Sequence, residues 1–333
     1  MLAQDAPATT PMITMIQNDS PRVTPLMWLR SLTGIGHLAA ILAGSSLSVG
    51  TVLAQEAPPQ TDIYVADLSV FDGLYFLGDV LNVTRRSEAY DNQPQFAPDS
   101  RSILYTAAHD DGQSEIHRYY LDSGRTTRIT RTAESEYSPT PIPGDRAFST
   151  IQVEADSTQR LWRFTMEGLD AEVVLRDVGP VGYHAWGDEQ SVLLFVLGDP
   201  VTLQVADVTT GVSEVVADSI GRSLHKIPNR NAWSFVEKTA ADESWISELN
   251  IGTHEIVRLI QTPDGGDFHA WTPEGVLLMA SGGQILQWDP ETETEWHVMA
   301  DLGHMNLTFS RVAVSPKGTN IALVGLPDRE DEP

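Results

Sequence analysis

The sequence predicts an all-β fold, a six-bladed β-propeller of four-stranded antiparallel blades, and three observations predict it. An apolar or aromatic residue followed by a polar turn returns every 43 to 45 residues. Turn signals cut each interval into four short β-rich segments, and no sustained helical periodicity appears after residue 60. A period of this length with four strands per copy is the mark of a blade repeat.

The recurring motif reads Gln95-Phe96-Ala97-Pro98-Asp99-Ser100, then Pro141-Ile142-Pro143-Gly144, His184-Ala185-Trp186-Gly187-Asp188, Lys226-Ile227-Pro228-Asn229, His269-Ala270-Trp271-Thr272-Pro273-Glu274-Gly275 and Val314-Ser315-Pro316-Lys317-Gly318. Pro98 to Pro143 spans 45 residues, Pro143 to Pro228 spans 85 with Trp186-Gly187 midway, Pro228 to Pro273 spans 45 and Pro273 to Pro316 spans 43.

Within the first copy, Ser102 to Ala107 is β-rich, His109 to Gly112 is a turn, and Glu115 to Leu121 alternates apolar and polar residues. Asp122-Ser123-Gly124 turns again and Thr126 to Thr130 is a last short strand. The second copy repeats the order with Phe148 to Val153, Arg160 to Thr165 and Val173 to Leu175, and the third with Val192 to Val196, Leu203 to Ala206 and Val215-Val216. In the fourth the segments are Trp233 to Glu237, a turn at Ala241-Asp242, Trp245 to Leu249 and Ile256 to Leu259. The fifth has Val276 to Met279, Ile285 to Trp288 and Trp296 to Met299. The residue ending the third strand is Asp122, Met166, Asp207, Asn250 or Asp289, a column in which a short polar side chain holds the following turn.

The sixth copy offers only Val312 to Gly318 and Ile321 to Val324. Its missing half is expected at the other end of the chain, where Ile63 to Ser69 matches a third strand, with Asp67 in the turn column, and Val80 to Thr84 a fourth. A blade built from both ends removes two unpaired sheet edges. The repeats are therefore placed at about 91–136, 137–182, 183–222, 223–267, 268–307 and 308–326, the last completed by 62–86, in one propeller over 62–326 ahead of an acidic tail, 327–333.

Ahead of the propeller, Met27-Trp28-Leu29-Arg30, the apolar and small run Leu38 to Val52 and the end Val52-Leu53-Ala54 predict a signal peptide over 27–54, with Gln55 as the mature start. The alternative is an anchor helix, but Gly44, Ser45, Ser46, Ser48 and Gly50 interrupt the run and leave it short of a span. Residues 1–26 are polar, Pro- and Thr-rich and unpatterned, so they read as a disordered leader or as residues ahead of a true start at Met27. A periplasmic or secreted location follows, with no membrane span after cleavage.

The 333 residues include no cysteine, which excludes disulfides, thiolate metal sites and a cysteine nucleophile. Against 46 Asp and Glu stand 21 Lys and Arg, a formal charge of −25. Such a surface repels nucleic acid and favours solubility or cationic partners. It is also what adaptation to a saline habitat produces.

The run Asn92 to Ser100 followed by Ile103 to Thr106, with Ile116, Leu121-Asp122-Ser123-Gly124 and Arg128-Ile129-Thr130, resembles the TolB-like propeller repeat over about 62 to 326. The resemblance implies a propeller of the kind found in periplasmic or secreted repeat proteins that bind other proteins. The Tol-system member carries an α/β domain ahead of its propeller, whereas Gln55 to Thr61 are what separates the expected signal peptide from the first strand here, so a role in the Tol machinery is not expected. The repeats also resemble the propellers of prolyl-peptidase-like enzymes, but no hydrolase domain accompanies them in this sequence.

No Gly-x-Ser-x-Gly elbow, His-Glu-x-x-His, phosphate loop or dinucleotide fingerprint occurs, and no Asp-rich segment matches a calcium loop. No catalytic residue, metal ligand set or cofactor is assigned. The matching tetrapeptides Tyr183-His184-Ala185-Trp186 and Phe268-His269-Ala270-Trp271 enter innermost strands, which line the channel of a propeller. Asn92, Tyr137, His225 and Arg311 enter the others, so the channel mouth is expected to gather imidazole, phenol, amide and guanidinium groups suited to a polar or anionic ligand. Trp186 and Trp271 are expected in the blade cores, and the two histidines are also readable as structural echoes of one repeat, hydrogen-bonded to neighbouring backbone. Two functions follow: a non-catalytic module gripping a protein, peptide or envelope ligand through its face or central channel, which is preferred, or a channel enzyme of the metal-dependent hydrolase, lactonase or lyase kind. A closed ring is expected to be a monomer.

Overall fold

In a computed structural model, residues 59–86, 89–239, 243–263 and 266–327 are described. The expected leader 1–26, the signal peptide 27–54, the Ala241-Asp242 turn and all but the first residue of the acidic tail lie outside them. Among the described residues no helix is long and apolar enough to cross a membrane.

Strands that alternate short apolar runs with tight turns pair into six antiparallel sheets. From the first strand outward, blade 1 holds Asp91–Phe96, Ser102–Ala108, Ser114–Tyr120 and Thr126–Arg128. Blade 2 holds Ser135–Pro141, Ala147–Val153, Gln159–Thr165 and Glu172–Val173, and blade 3 holds Val181–Trp186, Ser191–Val196, Thr202–Asp207 and Val212–Asp218. Blade 4 runs Ile220–Lys226, Ala232–Lys238, Ser244–Asn250 and Ile256–Gln261, and blade 5 runs His269–Trp271, Leu277–Ser281, Gln284–Trp288 and His297–Asp301. The first strand of each blade touches that of the next, and the first strand of blade 6 touches that of blade 1, so the ring closes.

Blade 6 is the composite blade. From the C-terminal end, Leu307–Val314 pairs with Asn320–Pro327, which pairs with Asp62–Phe71, and that strand in turn pairs with Leu81–Asn82. Val65 lies opposite Ala322 and Ile63 opposite Val324. Asp67 departs from expectation: the strand does not turn there but runs on to Phe71, and Asp67 accepts a hydrogen bond from the Asn320 side chain. The reason is local, because Asp72-Gly73, both at positive φ, make a tighter hairpin five residues later with Leu74–Leu77 as its return strand. Elsewhere the polar column behaves as expected. Asp207 accepts from the Thr209 and Thr210 amides, and Asn250 from those of Gly252 and Thr253.

The core sits between blades. Second strands are covered on both faces by neighbouring blades, which is why they read as unbroken apolar runs such as Val192-Leu193-Leu194-Phe195-Val196, all buried. Each such fully buried side chain contributes about 1.5–3 kcal/mol of transfer free energy. Trp186 and Trp271 lie in these interfaces, as expected. Trp288 and Trp296 pack as a pair, and the Trp296 indole donates to the Gln261 carbonyl of blade 4.

Candidate ligand site in the central channel

Where the first strands converge, they do not run as regular ladders. Register shifts interrupt them between Asn92 and Gln95, Tyr137 and Thr140, Val181 and Tyr183, Ile220 and Leu224, and Phe309 and Arg311. A bulge inserts a residue and re-aims the side chains after it. In blades 1 and 2 the inserted residues, Gln93 and Ser138, adopt φ of 56° and 54°.

These bulges decide what faces the channel. A cavity of about 70 Å³ is lined by residues that include Gln93, Ser138, Tyr183, Arg222, Phe268 and Arg311. Of the six residues expected at the channel mouth, His184, His225, His269 and Arg311 line it, while Asn92 and Tyr137 do not. Asn92 is buried beside the chain, where its Oδ1 accepts from the Gln93 amide and its Nδ2 donates to Thr61. Tyr137 is 2 % exposed and packs in the core between blades 2 and 3, and burial raises its phenol. Strict alternation of faces selects these two residues; the left-handed bulge residue one position on takes the channel instead.

The two His-Ala-Trp segments form the same clasp twice. His184 Nε2 lies 2.6 Å from Ser149 Oγ, and the Trp186 indole donates to the same oxygen at 2.9 Å. His269 Nε2 lies 2.8 Å from Ser234 Oγ, which also accepts from the Trp271 indole at 2.8 Å. Each serine stands in the second strand of the preceding blade, so the clasp ties blade 2 to blade 3 and blade 4 to blade 5. Ser149 donates its own hydrogen to the Thr140 carbonyl. Its oxygen therefore accepts from both rings, which places the His184 proton on Nε2. Burial pushes the His184 imidazole down to about 3 and holds His269 well below its ordinary value, so both are neutral.

Around these fixed groups sits an uneven distribution of charge. Arg222 is paired with Asp267, its Nε and Nη2 reaching one carboxylate oxygen at 3.0 and 2.9 Å. Arg311 lies 3.5 Å from the Phe268 ring centroid and donates to the Tyr183 hydroxyl at 3.2 Å, and no described carboxylate pairs with it. The Phe268 face also carries Arg222 at 5.1 Å. None of the described lining residues is Asp or Glu. The ring of His225 lies 4.9 Å from that of His269, and burial, with the Arg311 charge added, pushes it down to about 4. Among the described residues no group of three or more His, Asp or Glu is placed to hold a metal. Among the described lining residues the two that carry full charge are thus both arginines, in a chain of formal charge −25.

Gln93, Ser138, Ser149, Ser234 and Asp267 escape the sequence reading. Ser149 and Ser234 carry a signal nonetheless, since each stands 35 residues before its histidine and 37 before its tryptophan.

No family model matches the chain, and no curated protein matches it. Solved structures do. A candidate TolB from Agrobacterium tumefaciens superposes with a TM-score of 0.62 at 13 % identity, over 80 % of this chain and 99 % of that one. TolB from Acinetobacter baumannii gives 0.53 at 13 % identity, over 78 % of this chain and 63 % of that one. An oligogalacturonate lyase from Vibrio parahaemolyticus gives 0.49 at 10 % identity, over 82 % and 99 %. The fold is that of a TolB-like six-bladed propeller.

Proposed function

We propose that this chain is an exported, non-catalytic TolB-like propeller that binds a protein, peptide or envelope ligand through its central channel. The observation that carries this reading is the cavity at the ring axis, built from bulged strands and lined by Arg311, Arg222 and polar groups from several blades. A channel enzyme is the competing reading. Against it, His184 and His269 are neutral, buried and committed to Ser149 and Ser234, whereas a general base works best with a pKa near the operating pH. Arg311 and Arg222 also make the cavity unfavourable for a catalytic cation.

The test is selection of a random displayed peptide library on immobilised wild type and on Arg311→Glu. Peptides enriched on wild type and lost on the variant support channel binding. Enrichment that is absent from wild type, or equal on the two proteins, refutes it. Export is checked separately by fractionating cells that express the full sequence.

A further inference from the structure

Resting on the reading of the channel as a ligand site, we infer that the group it receives is a single carboxylate, paired with Arg311 and completed by the Gln93 amide and the Ser138 hydroxyl.

The unspent donors carry this inference. A guanidinium has five N–H donors in a planar fork, and the hydrogen bond Arg311 makes to a side chain takes one of them, to Tyr183. Phe268, stacked beneath it, fixes the plane and leaves the edge available for a planar acceptor. Gln93 Oε1 accepts from the Ser138 amide at 2.8 Å and from Thr106 Oγ1 at 2.9 Å. A backbone N–H can only donate, so the orientation of the Gln93 amide is fixed and Nε2 is the free end. Nε2 has no partner, and neither has Ser138 Oγ. The two residues are 6 % and 9 % exposed, and both line the cavity with Arg311. Leaving a buried donor unpaired is costly, and a ligand acceptor removes that cost.

Charge selects the kind of anion. Arg222 pairs with Asp267, which also lies 4.0 Å from Lys238 Nζ, the three histidines are neutral, and among the described residues Arg311 has no carboxylate partner. One charge matches a monoanion better than a dianionic phosphate. The cavity, about 70 Å³, is also of a size to receive a small head group rather than a whole molecule.

The experiment is a titration of the full chain, followed by NMR of arginine side chains or by calorimetry, with acetate, its neutral isostere acetamide, and inorganic phosphate. Acetate is expected to bind saturably and at least about tenfold more tightly than the other two, the size of one charge-assisted contact. Arg311→Gln should remove that preference, and Arg311→Lys, which keeps the charge but not the fork, should weaken acetate several-fold. Ser138→Gly removes the hydroxyl while suiting the positive φ, so acetate should weaken with no fall in thermal midpoint. A tripeptide with a free C-terminus that competes with acetate, while its amide does not, would place the carboxylate on a chain end; competition by small acids alone would place it on a small molecule. No saturable acetate binding, or equal binding of acetamide, overturns the inference. If library-selected peptides still need Arg311 but bind alike with amidated ends and no acidic residue, channel binding stands and the carboxylate falls. If neither they nor acetate bind, both fall.

Discussion

Replacing Ser149 by Ala should destabilise the ring far more than the loss of one hydroxyl suggests. Ser149 Oγ is the common acceptor for the Trp186 indole and the His184 imidazole, all three residues being buried. Alanine leaves both N–H groups without a partner. A tautomer change in His184 offers no escape, because Nδ1 also lacks a partner. At about 1–3 kcal/mol for each stranded donor, the expected loss is about 2–6 kcal/mol, or a fall in thermal midpoint of roughly 5–15 °C. The assay is urea unfolding at neutral pH, with calorimetry to read the midpoint. Ser234→Ala, at the equivalent clasp, should behave alike. Ser213→Ala supplies the control, since its bond to Gln204 is half-exposed and should be worth less than about 1 kcal/mol. A Ser149→Ala protein within about 0.5 kcal/mol of wild type would refute the clasp.

Two further outcomes concern pH. Glu136 is buried against Glu115 between blades 1 and 2, and burial, with the neighbouring carboxylate opposing ionisation, pushes it up to about 8. The folded chain therefore keeps a proton that the unfolded chain releases, giving stability that is full below the ordinary 4.5 and lost by about 8. Between pH 6.5 and 8 the wild type should lose about 2 kcal/mol, at about 1.4 kcal/mol per unit, and Glu136→Gln should not; parallel curves would contradict this. The buried histidines act in the opposite sense. His184 and His269 are held below the ordinary 6.5, so their contribution is present above that pH and lost as pH falls. Each should cost about 1.4 kcal/mol per unit below 6.5, and the His184→Gln, His269→Gln double variant should show a shallower acid limb in urea midpoints.

The period of the repeat was legible because propeller blades bury the same positions each time: Phe96, Trp186 and Trp271 recur about two repeats apart, at 90 and 85 residues, and all are buried. The composite blade was legible for a related reason, since half a repeat at each end leaves edges that only each other can cover. What was not legible is the channel surface. It depends on bulges, and a bulge shifts the facing residue by one without altering the apolar pattern, so Asn92 and Tyr137 stand out in the sequence while Gln93 and Ser138 reach the cavity. The Asp72-Gly73 hairpin interrupts the repeat pattern, and only its turn residues announce it. Arg222 and Asp267 lie 45 residues apart, one full repeat, and nothing local to either links them.

Hydrogen exchange of the full chain with and without a library-selected peptide tests most directly whether ligand binds at the ring axis. The expected result is added protection in the first strands Asp91–Phe96, Ser135–Pro141, Ile220–Lys226 and Leu307–Val314. Protection confined to outer strands, or to the hairpin that exposes Phe71, Leu74 and Phe76, would contradict a channel site.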